Sequence, residues 1–433
     1  MKLEFQKISN IFISIFFLLP LLIIAIFSRY YCRKSRVKLP RLVWGSAPII
    51  NNYYWSRAMS LLDYNSKTFV FPFFNSINKR SDWDYVLSDR YCFVPYRLRV
   101  FIAFAESLLR FDVFILSYRG FFLQKTYLKY FQVLLLKIAR KKIIIIPYGS
   151  DAYSYKNIRS TTLMHALMIS YPNASKEQPI ISKQVDYWNK YADAVIPSVM
   201  GFDGIGRWDV LVPNSLSIDL KQWQVSTRNS INDGKNGPVL IAHTPNHRGC
   251  KGTEYILRAV KSLKGENLNV ELRLLEKIQN DRVRQILSLE SDILVEQLCS
   301  TGHGLSAVEG MATGITTISN LEDEDYTLPM RRWSFLDECP LVSATPENIT
   351  DVLRVLVTNP DLRKELGCAG RKYVEKYHGL DSAQYLFKNV LDYIYGKKDS
   401  IINLYHPILG EYTNRLPKIE HPLKKNRIPG VEY

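Results

Sequence analysis

The sequence predicts an α/β protein with two Rossmann-like, doubly wound domains that face each other across a cleft, preceded by a membrane helix. Two series of buried strands that alternate with helical segments, separated by a polar stretch, predict the two domains. One long apolar run near the N-terminus predicts the membrane helix. A chain of 433 residues, of which 47% are hydrophobic, has enough apolar side chains to fill two cores.

The amino-acid composition limits the classes of molecule that this protein is expected to bind. Fifty-seven Lys and Arg against 41 Asp and Glu give a net charge of +16, which favours phosphates, acidic lipid headgroups or nucleic acid. The sequence has no helix-turn-helix pattern and no interleaved aromatic and basic motif, which disfavours nucleic acid. Six cysteines are scattered without a CxxC pair and without histidines at zinc spacing. We therefore expect no metal site and a reducing compartment.

The apolar run over residues 11–27 is interrupted only by Ser14 and Pro20, close to the roughly 20 residues that cross a bilayer core. A basic flank over residues 29–38 follows, rather than the small-residue cleavage site of a signal peptide. Because this flank is more basic than the N-terminal side, we predict a single-pass anchor that leaves the chain on the cytoplasmic face of the inner (plasma) membrane. Residues 1–37 form this anchor and flank. The alternative is a buried first helix of the domain.

The first globular domain is predicted over residues 38–223. A strand at 41–44 precedes a helix around 53–62, and a strand at 112–117, a helix at 122–140 and a β-branched strand at 143–146 form a βαβ unit. The last strand runs into YGSD at 148–151. Ligands of doubly wound sheets bind beyond the carboxyl ends of strands, which makes this segment a candidate site. Asp151 either positions an acceptor or sugar hydroxyls, or caps the turn.

The second domain is predicted over residues 239–395, after a linker at 224–238. Its strands are expected at 239–242, 270–275, 292–295 and 315–319, and its helices at 251–263 and 306–312. Beyond residue 395 the periodicity ends. Seven Lys or Arg against four acids make residues 396–433 a basic tail without a core pattern.

Two segments of the second domain carry the chemistry. The first, HTPNHRGCKGT at 243–253, brings Arg248, Lys251 and the amides of a helix start to one point, an arrangement that suits a diphosphate. A solvated basic loop that caps a helix is the alternative. In the second, a strand leads through Gly302 and Gly304 into a helix with Glu309. A carboxylate there can accept both hydroxyls of a ribose, although a glutamate on the helix surface is the alternative.

Several motifs in order resemble the retaining glycosyltransferases of family 4, which have the GT-B fold. They are KGT at 251–253, AVEGMATG at 307–314, VPNSLSID at 212–219, YGSD at 148–151 and LGCAGRKYVEKYH at 366–378. The resemblance covers residues 40–395. It implies transfer of a hexose from a nucleotide-sugar to a lipid-linked or glycan acceptor, with retention, in cell-surface polysaccharide synthesis. The nucleotide-sugar is the co-substrate, and no other cofactor and no metal is implied.

The resemblance also assigns the site. Arg248 and Lys251 would hold the donor diphosphate and act in catalysis with Asp151, while Glu309 would bind the donor ribose. The turn with Gly304 and Leu305 would lie beside the transferred sugar, and His243 opens the diphosphate loop. The first domain would bind the acceptor and the second the donor.

Two departures from the family's pattern bear on the sugar. Thr301 stands where the family has a second glutamate, and Tyr148 stands where a histidine often precedes GSD. Gln297 and His303 are candidates for the missing polar contacts, although a packed histidine is the more usual role. Both departures suit the main alternative, a non-catalytic GT-B subunit of a glycosylation complex. A nucleotide-sugar epimerase is the nearest enzymatic alternative, but it needs no membrane anchor.

Overall fold

A computed structural model describes residues 2–34, 39–73, 78–197, 204–212, 215–226, 228, 231–333, 336–412 and 417–433, excepting the side chains of 2–7, 31–34 and 332–333. Most of the predicted basic flank and residues 213–214 of the VPNSLSID motif therefore lie outside the described part. The described chain contains two parallel sheets, each with helices on its faces.

The first sheet has six parallel strands in the order β3-β2-β1-β4-β5-β6, the classical order of the dinucleotide-binding fold. Its strands read as near-continuous apolar runs because helices cover both faces. The elements are α1 (Lys2–Lys34), β1 (Leu42–Ser46), α2 (Ile50–Ser60), β2 (Ser66–Val70), β3 (Tyr85–Val86), α3 (Tyr96–Arg110), β4 (Val113–Leu116), α4 (Phe131–Ile138), β5 (Lys142–Ile145), α5 (Thr161–Ser170), α6 (Gln178–Tyr191) and β6 (Ala194–Val195).

The second sheet has five parallel strands in the order β11-β10-β9-β7-β8, the other common doubly wound order. The expectation of two doubly wound domains is confirmed. The elements are β7 (Val239–His243), α7 (Arg248–Lys251), α8 (Thr253–Gly265), β8 (Val270–Leu274), α9 (Asn280–Leu289), β9 (Ile293–Thr301), α10 (Leu305–Ala312), β10 (Thr316–Asn320), α11 (Glu324–Trp333), β11 (Val342–Ser343), α12 (Ile349–Thr358), α13 (Pro360–Tyr377) and α14 (Leu380–Ile394).

The helix predicted at 122–140 is wrong in its first half. A short 3-10 turn at Phe122–Lys125 and an irregular stretch precede α4. Phe121 and Phe122 are fully buried and pack edge-on against Phe114 and Phe69, with ring centroids 5.4 and 4.5 Å apart. Burial of these two adjacent rings replaces the helical periodicity, because one face of a helix cannot bury two consecutive side chains equally.

The N-terminal helix α1 packs on the first domain instead of standing apart from it. Leu21 and Ala25 are buried in that domain's core. The rings of Phe17 and Phe101 stack 4.5 Å apart, and the Ser28 hydroxyl donates to the carbonyl of Leu108 at 2.5 Å. The expected boundary at residue 37 therefore divides segments that share one core. The opposite face of α1 is apolar and exposed, so the helix remains a candidate membrane helix over Ile8–Tyr30.

The C-terminal segments cross between the domains. From α14, the Phe387 ring lies 4.7 Å from that of Trp44 in β1, and the Gln384 amide donates to the Ala58 carbonyl in α2 at 3.0 Å. The tail does carry a core pattern, contrary to expectation. Six of its apolar side chains are buried in the cores, those of Ile401, Tyr405, Tyr412, Ile419, Leu423 and Ile428. The Asn426 amide donates to the carbonyls of Cys339 and Leu341 at 2.7 and 2.8 Å.

Candidate functional site

Both sheets reverse their strand order beside a central strand, and the segments that follow those strands contact one another. The reversals lie between β1 and β4 and between β7 and β9, where doubly wound proteins bind ligands. A cavity of about 90 Å³ lies beyond the carboxyl ends of β1, β4 and β5, and Tyr148 lines it. The Trp55 indole of α2 donates to the Ser215 carbonyl at 3.0 Å across this region.

Helix α5 of the first domain packs against the segment of the second domain that is predicted to bind a diphosphate, residues 243–253. The Cys250 amide donates to the Ser170 hydroxyl at 2.9 Å, and the Cys250 thiol donates to the Ala166 carbonyl at 3.1 Å. A Cβ on Gly249 would lie 2.3 Å from Cγ2 of Ile169. Glycine at 249 therefore permits the close approach of α5 to α7.

Lys251 lies at the centre of a buried polar cluster. Its Nζ donates to Glu296 Oε1 at 2.8 Å and to Gln297 Oε1 at 3.0 Å. Both oxygens of Glu296 accept the Gly304 N–H, at 2.9 and 3.0 Å. The Glu296 side chain is 0% exposed and that of Lys251 is 11% exposed. A buried ion pair is tolerated only where hydrogen bonds satisfy both charged groups. Both groups make such bonds here.

The glycine-rich turn depends on this cluster. Gly302 has a φ of 92°, in the left-handed region, and it donates to the Asn320 carbonyl at 2.8 Å. A Cβ on Gly304 would lie 2.7 Å from Glu296 Oε1. Both glycines are therefore required, one for conformation and one for the close approach of the carboxylate. Leu305 follows as the first residue of α10.

Arg248 is placed differently from Lys251. It is exposed, and its guanidinium donates to Glu254 at 2.7 and 2.9 Å and to Glu276 at 3.1 and 3.2 Å. These ion pairs raise the pKa of Arg248. Exposed pairs of this kind stabilise little, so an incoming anion can displace the two carboxylates.

Glu309 is buried on α10 rather than lying on the helix surface. It accepts one hydrogen bond, from the Asn280 amide at 3.1 Å. Burial raises its pKa to about 7, against the opposing effects of Asn280 and Arg284. After burial, the charge of Glu309 is the largest influence that raises the pKa of Tyr54 in α2. Glu309 therefore lies near the first domain.

The two histidines that are predicted near the donor are both buried inside the second domain. The ring nitrogens of His243 are both engaged, with the Val295 carbonyl at 2.7 Å and the Thr253 hydroxyl at 2.9 Å. His303 is buried with its ring centroid 6.0 Å from that of His378. Burial lowers the pKa of both His243 and His303 to about 4. Both are neutral near pH 7, and His243 joins β7 to β9 and α8 at the start of the segment 243–253.

Asp151 caps the turn after β5, as one of its two predicted roles requires. It accepts the N–H groups of Tyr118, Tyr148 and Gly149, each at 3.0 Å. Burial raises its pKa to about 6, although these hydrogen bonds oppose the rise. Its oxygens hold the backbone at the carboxyl ends of β4 and β5. Asp151 is therefore a positioning residue in this structure.

The predicted site residues divide into two groups. Lys251, Gln297 and Gly304 meet in the buried cluster, and Glu309 lies close enough for the charges of Lys251 and Glu296 to shift its pKa. Asp151 lies apart, at the carboxyl edge of the first sheet. Sequence reasoning missed Glu296. Its signal was a glutamate inside the apolar strand ILVEQL, because a buried charge requires a partner.

No protein-family model matches the chain, and no curated protein matches it. Solved structures do. Anabaena HepE in complex with UDP and glucose has a TM-score of 0.52 and 10% identity, over 82% of this chain and 99% of that one. An alpha-glucosyltransferase in complex with UDP and a 13-mer DNA has a TM-score of 0.51 and 8% identity, over 82% of this chain and all of that one (100%). The fold is therefore GT-B, with two parallel-sheet domains.

Proposed function

We propose that the protein is a glycosyltransferase that takes a hexose from a nucleotide-sugar and transfers it with retention. The observation that carries the proposal is the buried cluster of Lys251, Glu296 and Gly304 at the reversal of the second sheet, beside Glu309. The similar GT-B structures bind UDP, glucose or UDP-glucose. The residues of this cluster suit a nucleoside diphosphate as the ligand of the second domain.

The geometry supports a separate role in the donor site for each of Lys251, Arg248 and Glu309. Lys251 stays paired with Glu296, which also orients the Gly302–Gly304 turn at the start of α10. Arg248 exchanges its exposed carboxylates for the diphosphate. Glu309 accepts the ribose hydroxyls, for which it must be ionised. As the leaving diphosphate gains charge, these fixed groups stabilise the transition state more than the ground state.

The acceptor side of the proposal rests on the membrane helix. The exposed face of α1 carries Phe12, Phe16 and Leu19, which are 69%, 72% and 65% exposed, and the stripe continues at three- and four-residue spacing to residue 30. Water is a poor solvent for such a face. We infer that hydrocarbon covers it and that the acceptor is a glycan or lipid at the cytoplasmic face, as in cell-surface polysaccharide synthesis.

The packing of α1 favours a helix that lies along the membrane over one that crosses it. Its contact with the domain runs from Ser14 to Ser28, about 21 Å of helix. A crossing helix would carry α3 into the bilayer with Arg97, Arg99 and Glu106, and charged groups are excluded from that region. Tags at the two termini should therefore be accessible from the same side in sealed vesicles. Protection of the N-terminal tag alone would restore the single-pass prediction.

The test of the enzyme proposal is a panel of nucleotide-sugars offered to the detergent-solubilised full chain, with release of nucleoside diphosphate as the readout. One donor should be hydrolysed slowly without acceptor. Glu309→Gln should weaken UDP binding about tenfold, by removing a charged acceptor of ribose hydroxyls. Glu365→Gln, on the exposed face of α13, is the matched control. Absence of binding of every nucleoside diphosphate in the panel by the folded wild-type protein would refute the proposal.

A further inference from the structure

Two cavities in the first domain share one side chain, Lys125. The first, which we call the helix cavity, has about 210 Å³ and lies between α1 and α3. The second, the basic cavity, has about 410 Å³ and lies between α4, α6 and the turn that holds Asp151. Neither cavity belongs to the donor site of the second domain. Together they lead from the membrane helix to the carboxyl edge of the first sheet.

The helix cavity is apolar along its walls and cationic at its rim. Ile13 of α1, Phe71, and Val100 and Phe101 of α3 provide the walls, while Arg97 and Lys125 provide the charges. Tyr96, also at the cavity, is 48% exposed, so the space reaches the surface. At about 210 Å³ it is smaller than the roughly 300 Å³ of a complete small-molecule site. It suits part of an alkyl chain.

The charged groups of both cavities include cations that lie beyond ion-pair distance of any carboxylate in the described part of the chain. Among the residues that the structure describes, Arg97, Arg119, Lys125 and Lys129 make no ion pair. Basic residues on neighbouring elements behave differently. Arg90 pairs with Glu106, and Lys137 and Lys142 pair with Asp193. Within the described chain, four cations without an ion pair therefore line the two cavities.

The acidic groups of the basic cavity do not neutralise it. Asp151 accepts three backbone N–H groups, and Glu177 is the other carboxylate in the lining. The Lys129 ammonium lies over the ring of Tyr130, 4.8 Å from its centroid, and the Arg119 guanidinium lies 5.9 Å from that of Tyr148. Three cations against two carboxylates leave a net positive charge in the lining, although Arg119 also interacts with the charge of Asp151. This net charge favours an anion with several oxygens.

We propose that the paired cavities bind a lipid that carries a phosphate or diphosphate, and that this lipid is the acceptor. Its chain enters between α1 and α3, and its phosphate lies at Lys125, with Arg119 and Lys129 around it. The attached sugar or the terminal oxygen then extends toward the turn of Asp151. The acceptor role rests on the proposed glycosyltransferase function, but the binding of a phosphorylated lipid does not.

Titration calorimetry of the detergent-solubilised full chain with dodecyl phosphate tests the binding. The probe should bind, and dodecanol and inorganic phosphate should each bind at least tenfold more weakly, because each supplies half of the contacts. Lys125→Ala should weaken dodecyl phosphate binding roughly tenfold to hundredfold, the loss of a charge-assisted contact. Lys125→Arg should restore most of it. Lys190→Ala, on α6 but outside the cavity lining, should bind like the wild type.

Competing ligands show whether the bound phosphate belongs to a lipid of the proposed kind. A second titration tests the lipid proposal separately from the enzyme proposal. Equal binding of inorganic phosphate would overturn the lipid component, and equal competition by phosphatidylglycerol vesicles would overturn the acceptor role in favour of a bilayer phospholipid. A UDP titration of each sample reports the donor site. UDP binding without dodecyl phosphate binding refutes this inference alone. Dodecyl phosphate binding without binding of any nucleoside diphosphate refutes the enzyme proposal and with it the acceptor role, but not the binding of a phosphorylated lipid. Unchanged binding in both Lys125→Ala and the double variant Arg119→Ala/Lys129→Ala would also overturn the inference.

Discussion

Replacing Lys251 by alanine should destabilise the protein as well as weaken donor binding. The ammonium is the cation of a buried pair with Glu296, at 2.8 Å and with side chains 11% and 0% exposed. Removing one partner of such a pair costs about 3 to 5 kcal/mol, because the other charge stays buried without compensation. Here the Gly304 N–H and the Ser319 hydroxyl, 3.5 Å away, still contact the carboxylate. We therefore expect the lower end, about 3 kcal/mol.

The measurement is urea unfolding of the detergent-solubilised full chain without nucleotide, compared among wild type, Lys251→Ala, Glu296→Gln and the double variant. A loss of about 3 kcal/mol moves the midpoint by about 1 M urea or more. The double variant should recover most of the loss, since no uncompensated charge remains. UDP affinity should also fall in Lys251→Ala, because the Gly302–Gly304 turn is held by Glu296, which loses its cation.

Two results would refute this reasoning. A change below about 0.5 kcal/mol in Lys251→Ala is the behaviour of a surface residue, and it would show that the ammonium is not part of a buried pair. Additive losses in the double variant would show that Lys251 and Glu296 act independently. Lys261→Ala, on the exposed face of α8, controls for removal of a positive charge.

Three other predictions concern stability. Burial raises the pKa of Glu309 from the ordinary 4.5 to about 7, so the wild type loses stability as the pH rises through that window. Glu309→Gln should be about equally stable at pH 4 but more stable at pH 8 by roughly 3 kcal/mol at most; a difference that does not vary with pH would contradict the shifted pKa. A Cβ on Gly367 would lie 2.0 Å from the Gly314 carbonyl oxygen, so Gly367→Ala should lower the urea midpoint by an amount equivalent to about 1 to 3 kcal/mol. The exposed neighbour Cys368→Ala should not. Truncation after residue 395 should destabilise the second domain, because Tyr405 and Tyr412 are buried; a truncated chain with unchanged thermal unfolding would show that the tail is dispensable.

The sheets could be predicted from the sequence because their strands are short, buried and β-branched. Ile143, Ile144 and Ile145 are β-branched and favour a strand whatever the neighbouring segments form. The half-helix error at 122–130 had no local signal, since the segment contains neither glycine nor proline and only the tertiary burial of Phe121 and Phe122 excludes a helix. The tail was missed because Tyr405 and Tyr412 pack from irregular backbone, which leaves no periodic pattern.

The site was predicted in part for an equally physical reason. Motif order located Lys251 and Glu309, and the structure places both near the turn at Gly304. Motifs do not show charge compensation, so the pairing of Arg248 with Glu254 and Glu276 could not be foreseen. The same limit applies to Asp151, whose hydrogen bonds come from residues in two separate turns.

The return of α14 to the first domain has a consequence for biosynthesis. The indoles of Trp44 and Trp55 are covered by Phe387, with ring centroids 4.7 and 5.6 Å away. That phenylalanine leaves the ribosome more than 300 residues after both tryptophans. Synthesis proceeds at roughly 5 to 20 residues per second. Phe387 is therefore added about 15 seconds to a minute after the two tryptophans that it covers. The two indoles therefore stay uncovered by their final packing partner for most of the time that the chain is being synthesised.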